Sequence, residues 1–221
     1  MVERITLPVI GYHDLPVPNT FTRQATETEH VAVLWPGYGY RATMPALYYV
    51  EALLVAEGAD VLRVETAYDT IEHAEEPGLE ERYRWLVRDA EAAWDAVRAL
   101  RGYKRITLVA KSISTLAIGY LLAERPELRE AECVWLTPLL HDARLRVQIV
   151  AARPRSLFAV GTADRYYDAG HLTELEAVTG GTSIVIPGAN HSLEIEGDVQ
   201  ASLAALARVM ATVDEFLSAA S

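Results

Sequence analysis

The chain has 221 residues, 51% of them hydrophobic, so it can bury one sizeable core but is short for two domains. A single domain over residues 1–221 is expected. The formal net charge of −11 at pH 7, with no cluster of Lys and Arg, argues against a nucleic-acid partner, because a phosphate backbone would be repelled.

Sequence patterns of export and membrane insertion are not seen. Residues 1–11 interleave Glu3 and Arg4 with apolar residues, unlike a secretory signal peptide, and charges interrupt every apolar run well before bilayer length. The single cysteine, Cys133, cannot form an internal disulfide. We therefore expect a cytoplasmic protein that has no membrane partner.

The first predicted elements are two short strands. They cover residues 5–10 and 21–25, and a turn-rich piece between them predicts an antiparallel edge. From His30 onward, strand-like and helical patterns alternate. A strand over residues 31–35, a helix over 44–57 and a strand over 60–65 form the first predicted βαβ unit.

The alternation continues to the end of the chain. A helix over residues 79–100 has one apolar and one charged face. Further strands are predicted over residues 105–110, 132–136, 156–160 and 183–186, and further helices over 115–124, 143–151, 171–178 and 199–217. The expected fold is α/β, with a mostly parallel sheet, helices on both faces and an antiparallel N-terminal edge.

The most informative segment joins a predicted strand to a helix at Ser112. Small residues, Ala110 and Ser114, stand two positions before and after it. A serine on a sharp strand-to-helix turn adopts a strained backbone, at a cost on the order of 1–3 kcal/mol, and admits only small neighbours. The segment resembles the nucleophile elbow of the α/β-hydrolase family, although Ala110 and Ser114 replace the family's usual glycines. The resemblance implies that Ser112 is a nucleophile and that the backbone N–H of Ile113 binds an oxyanion.

Two later loops supply the other residues that this resemblance requires. Asp164 follows the predicted strand that ends at residue 160, and His191 follows the one that ends at residue 186, in the family's order of serine, acid and histidine. Because the carboxyl ends of parallel strands meet at one edge of a sheet, all three should converge there. The implied base is His191 and the implied acid is Asp164; Asp168 is an alternative acid that also suits a helix cap.

The loop after the predicted strand over residues 31–35 resembles the family's second oxyanion donor. The resemblance assigns the donor to the backbone N–H of Tyr38, although Pro36 replaces a common histidine. Within the family, the likeness is to the small dienelactone-hydrolase-like branch without a large cap. It implies a serine hydrolase that cleaves an ester or thioester of a small molecule through an acyl-enzyme, with no cofactor. Four residues on the surrounding loops are expected to bind the substrate: Tyr40, Leu139, Tyr166 and Leu193.

Two other functions fit parts of the sequence. Gly37, Gly39 and Ala42 have the spacing of a dinucleotide-binding turn, and Glu65 ends the next predicted strand, as a ribose-binding acid would. The substituted elbow also permits a hydrolase-fold protein that binds without catalysing. Substrate charge and oligomeric state stay open.

No metal site is predicted. Two His-Asp pairs, at His13 and His141, are isolated, without a His-Glu-x-x-His motif or a cysteine cluster. Lys111, next to Ser112, is expected to be solvated or paired with an acid.

Overall fold

The computed structural model describes residues 2–69 and 78–219. In these ranges the strands are β1 Val2–Ile5, β2 Asn19–Gln24, β3 His30–Trp35, β4 Asp60–Val64, β5 Arg105–Lys111, β6 Glu132–Leu136, β7 Arg155–Gly161 and β8 Thr182–Ile186. The α-helices are α1 Pro45–Ala56, α2 Leu79–Arg98, α3 Thr115–Glu124, α4 Ala143–Ala152, α5 Ala169–Thr179 and α6 Val199–Ser218. Short 3-10 helices cover Tyr12–Asp14, Ser112–Ser114 and Pro126–Leu128.

The strands form one sheet in the order β1-β2-β4-β3-β5-β6-β7-β8. Pairing is parallel from β4 to β8 and antiparallel for β1 with β2 and β2 with β4. This confirms the predicted fold class, including the antiparallel edge at the N-terminus. The parallel part explains why the strand sequences are continuous apolar runs, since both faces are covered.

The predicted first strand is wrong in its bounds. β1 covers Val2–Ile5 rather than residues 5–10. Beyond Ile5 the backbone bonds to a side chain instead: the amide of Asn19 accepts from Leu7 N–H at 2.9 Å and donates to Leu7 O at 3.0 Å. These bonds replace a strand ladder, so Leu7 and Val9 are buried without being in a strand.

Helices cover both faces of the sheet, as predicted. Alternate side chains of β3 show the division: Val31, Val33 and Trp35 pack with α2 to α5, whereas Ala32 and Leu34 pack with α1 and α6. The two cores are therefore separated by the sheet, and the backbone of each central strand is held between them.

This topology places the loops that follow β3, β5, β6, β7 and β8 at one edge of the sheet. The connection from β6 to α4 has only residues 137–142, so no cap is inserted there, as predicted. Among the described residues, no helix combines the length and apolar character needed to cross a bilayer.

Candidate active site

Ser112 sits on a tight turn between β5 and α3. Its φ is +58°, in the left-handed region that costs a residue with a side chain about 1 kcal/mol or more. Thr115 Oγ1 donates to the carbonyl oxygen of Ser112 at 2.6 Å. The hydroxyl of buried Ser114 donates to the carbonyl oxygen of Pro36. The serine that stands in place of a glycine thus joins the elbow to the loop after β3.

The structure brings Ser112, His191 and Asp164 into one hydrogen-bonded chain. His191 Nε2 lies 2.6 Å from Ser112 Oγ, and His191 Nδ1 lies 2.7 Å from Asp164 Oδ2. Only 1% of the Asp164 side chain is exposed, and its other oxygen accepts from Tyr166 N–H at 2.9 Å. The imidazole is therefore held from both sides, with one nitrogen directed at the serine hydroxyl.

Asp168 has a different place. It is the N-cap of α5, where its carboxylate accepts from His171 N–H at 2.8 Å. That bond holds the pKa of Asp168 below its usual range. Of the two candidate acids, the structure places Asp164 at the imidazole and Asp168 at the helix end.

The acid loop and the histidine loop pack directly on each other. Ala189 O accepts from Ala163 N–H at 2.9 Å, and a Cβ on Gly161 would lie 2.1 Å from Ala189 O. Only glycine permits this approach. This requirement could not be predicted from the sequence, because it depends on a neighbour that folding brings close.

A cavity of about 810 Å³ opens above Ser112. Of the residues expected to bind substrate, Tyr40, Leu139 and Tyr166 line it together with His191. Sequence reasoning missed a second set of lining residues on α2 and α3, namely Leu79, Tyr83, Leu86 and Leu116. The apolar pattern of α2 predicts only core packing, whereas in the structure this face contributes to both the core and the cavity wall.

Leu193 was expected to bind substrate, but it does not line this cavity. It is 2% exposed and packs in the core between the sheet and α6. Its N–H donates to Asn190 O at 2.9 Å, and a φ of +64° turns its side chain under the loop. Tyr40 is also largely buried: its hydroxyl accepts from Ala46 N–H at 3.0 Å at the start of α1.

Tyr38 and Ile113 both line the cavity beside Ser112. Gly37 N–H donates to Tyr40 O at 2.9 Å, which closes the turn around Tyr38. In the described ranges, the Tyr38 N–H has no hydrogen-bond partner. A Cβ on Gly37 would lie 3.1 Å from Tyr40 Cβ and 3.4 Å from Ser112 Cβ, so this glycine lies directly beside the elbow.

That contact bears on the dinucleotide alternative. Gly37 packs beside the elbow, and Glu65 is already engaged by the guanidinium of Arg63 at 2.6 Å and by Thr20 Oγ1 at 2.8 Å. Gly37 and Glu65 therefore each have a structural partner within the chain.

The prediction for Lys111 is wrong: its side chain is fully buried rather than solvated, and no acid of the described residues forms an ion pair with it. Its ammonium donates to Thr137 Oγ1 and, at 2.5 Å, to the carbonyl oxygen of His191, and it lies 4.9 Å from the ring centroid of Tyr40. Burial lowers the pKa of Lys111 from 10.5 to about 7, while the charge of Asp164 opposes that shift.

One group of possible metal ligands lies near the cavity rim. Donor atoms of His141, Asp168 and His171 are within 4.8 Å of one another. His171 Nδ1 is 3.6 Å from Asp168 Oδ1, the oxygen that caps α5. The sequence did not predict this group, because folding brings His141, on the loop after β6, to the start of α5.

The sheet order and the turn at Ser112 define an α/β-hydrolase fold, and comparison with solved structures supports this. An esterase from Pyrococcus furiosus, Pf2001, aligns with a TM-score of 0.71 at 14% identity, covering 99% of this chain and 92% of that one. A protein of unknown function from Agrobacterium tumefaciens aligns with a TM-score of 0.70 at 17% identity, covering 99% and 95%. A serine hydrolase without a lid from Xanthomonas campestris gives 0.65 at 14% identity, covering 98% and 94%.

No family model matches the sequence, and no curated protein matches it either. At these identities the solved structures establish the fold. The fold that the sequence resemblance implied is confirmed.

Proposed function

We propose that the protein is a serine hydrolase that cleaves an ester or thioester of a small molecule through an acyl-enzyme on Ser112. The observation that carries this proposal is the hydrogen-bonded chain from Ser112 through His191 to buried Asp164, with distances of 2.6 and 2.7 Å. A nucleophile, a base and an orienting acid in this arrangement activate a hydroxyl for attack on a carbonyl.

Each residue has a step in the reaction. His191 takes the proton from Ser112 as the hydroxyl oxygen attacks the carbonyl carbon, and Asp164 keeps the imidazole in the tautomer that accepts it. The imidazolium then gives this proton to the leaving alcohol or thiol. Water attacks the acyl-enzyme by the same route and regenerates Ser112.

The oxyanion has two candidate donors, the backbone N–H groups of Tyr38 and Ile113. Tyr38 N–H has no partner among residues 2–69 and 78–219, and Ile113 lies at the start of the helical segment after Ser112, where backbone N–H groups point outward. Removing one such donor costs about 3–4 kcal/mol of barrier in well-studied hydrolases. The turn closed by Gly37 and Tyr40 therefore matters to the rate.

The cavity supports a small acyl group with apolar or aromatic character. Its walls near Ser112 include Leu139, Tyr166 and Leu116. The esterase from Pyrococcus furiosus shares this fold, which agrees with ester chemistry. We propose that the protein acts in the cytoplasm on a small-molecule substrate.

The first test uses a fluorophosphonate probe, which reacts with an activated serine. We expect the wild type to be labelled and Ser112→Ala to be unlabelled, while Ser192→Ala, which removes another serine from the cavity wall, is labelled like the wild type. A panel of acyl esters and thioesters of graded chain length then compares the wild type with Ser112→Ala and His191→Ala. We expect both variants to lose activity by roughly 1,000-fold or more.

Two results would contradict the proposal. Correctly folded wild type that resists the probe would favour the non-catalytic binding module. Equal hydrolysis by the wild type and both variants would remove the catalytic roles.

A further inference from the structure

Lys111 is unusual among the cations of this chain. The sequence has 20 Lys and Arg residues, of which only Lys104 and Lys111 are lysines. Lys104 is on the surface, 74% exposed and 2.5 Å from Glu29 Oε1. Lys111 is fully buried, directly before the nucleophile. A buried ammonium is costly unless its surroundings compensate it, so its contacts indicate what it does.

Those contacts join three parts of the site. The aliphatic part of the Lys111 side chain packs against the loop after β3, with Cγ 3.4 Å from where a Cβ on Gly37 would lie. Its ammonium donates to Thr137 at the end of β6 and to the main-chain oxygen of His191. Thr137 has a φ of +44°, a strained conformation that brings its hydroxyl to this position only while the surroundings hold it.

We propose that Lys111 is a positioning residue, whose buried ammonium ties the backbone of His191 to the end of β6 and so holds the imidazole within reach of Ser112. This inference rests on the proposed hydrolase function. Lys111 donates to the carbonyl oxygen of His191, the residue whose imidazole contacts Ser112. A shift of this backbone therefore also shifts the base. A misplacement of about 1 Å in such a site can reduce the rate about 100-fold.

The charge of Lys111 is part of this role. The charged groups that face it are Asp164 on the loop after β7 and Glu194 on the loop after β8, and both favour its protonated form. His191 itself and the ring of Tyr40 complete its surroundings. As the pH rises past about 7, the ammonium loses its proton, its bond to His191 is no longer charge-assisted, and the hold weakens.

The test compares Lys111→Met with Lys104→Met. Methionine keeps the length of the buried stem but donates no hydrogen bond, whereas the surface variant removes the same charge. For Lys111→Met we expect kcat to fall by about 10- to 100-fold with KM changed less than about threefold, because the main effect is displacement of the base. Lys104→Met should match the wild type. Unchanged kcat in Lys111→Met would overturn the proposal.

A second readout separates positioning from general stability. With only two lysines, lysine-labelled protein gives two side-chain NMR signals, and Lys104→Met assigns them. We expect the alkaline decline of wild-type kcat to share its midpoint with the titration of Lys111, and to be missing in Lys111→Met. A decline that persists in that variant would contradict the inference.

Further measurements keep the inference testable if Lys111→Met folds poorly or the hydrolase proposal fails. Thr137→Val removes one acceptor while keeping the β-branched shape, and should lower kcat by a smaller factor, about two- to tenfold.

The low-field proton resonance of the His191–Asp164 hydrogen bond, assigned by its loss in His191→Ala, can be measured without any enzymatic activity. We expect it to broaden or vanish in Lys111→Met; its persistence unchanged would refute the positioning role. A wild type that neither hydrolyses esters nor reacts with the probe refutes the proposed function alone.

Discussion

Asp164 and Asp168 lie in one loop, yet their carboxylates have different partners. Asp164 is buried against the imidazole of His191, and Asp168 caps α5. The resemblance to the hydrolase family favoured Asp164, which follows the preceding strand at the family's position, whereas Asp168 suited a helix cap. Burial decides the difference in chemistry, and burial cannot be read from the spacing.

The two aspartates therefore predict different effects of the same change. Asp164→Asn leaves the shape intact but favours the wrong imidazole tautomer, so kcat should fall by about 100- to 10,000-fold. Asp168→Asn should keep kcat within about twofold, because asparagine caps a helix as well as aspartate does. Steady-state kinetics of both variants provide the measurement. A larger loss in Asp168→Asn would reverse the assignment of the acid.

Lys111 and Leu193 mark the limit of prediction at this scale. Both lie in segments whose importance the sequence indicated, but the direction of each side chain depends on how the loops close. Leu193 turns inward because its backbone adopts a positive φ, and Lys111 is enclosed by residues from β6 and the loop after β8. Single-sequence periodicity carries no information on either contact.

At the scale of elements, the order of strands and helices from β3 onward follows the apolar periodicity of the sequence. The predicted helix over residues 79–100 corresponds to α2 at Leu79–Arg98, and the predicted strand over residues 132–136 has the bounds of β6. The first strand was misplaced because Asn19 satisfies the backbone at Leu7. A side chain that imitates a strand partner leaves no periodic signal.

The packing of the two loops predicts an effect at Gly161. In Gly161→Ala the new Cβ would overlap the main-chain oxygen of Ala189, so the histidine loop must move away from the acid loop. We expect a loss of about 1–3 kcal/mol in the free energy of unfolding and a drop in kcat. Gly102→Ala, where a Cβ meets nothing within 4 Å, is the matched control. Denaturant unfolding and kinetics measure both. Wild-type behaviour of Gly161→Ala would show that the loops can separate freely.

At the scale of the whole molecule, buried groups determine how stability depends on pH. Burial lowers the pKa of His30 from 6.5 to about 4 and raises that of Asp89 from 3.8 to about 6. The lowered pKa of His30 makes the folded state more stable as the pH rises from about 4 to 6.5. The raised pKa of Asp89 makes it less stable as the pH rises from about 3.8 to 6, so the two effects largely cancel. The buried ammonium of Lys111 titrates at higher pH, from about 7.

We predict that the protein becomes more stable between pH 7 and 8.5. The unfolded chain keeps the proton on Lys111 up to about pH 10.5 and the folded chain loses it near 7, so unfolding takes up a proton and rising pH favours the folded state. The expected gain is about 1–2 kcal/mol. Denaturant titrations should show this rise in Lys104→Met and not in Lys111→Met. A rise of equal size in both variants would assign it to other groups.

The short connection between β6 and α4 has a consequence for the fate of an acyl group on Ser112. With only residues 137–142 there, this side of the entrance has no element that could close over the ester once it has formed. On this side of the entrance, the acyl-enzyme proposed for Ser112 would be open to solvent. Because water is far more concentrated than dilute alcohols or amines, hydrolysis of that acyl-enzyme would be favoured over acyl transfer to them.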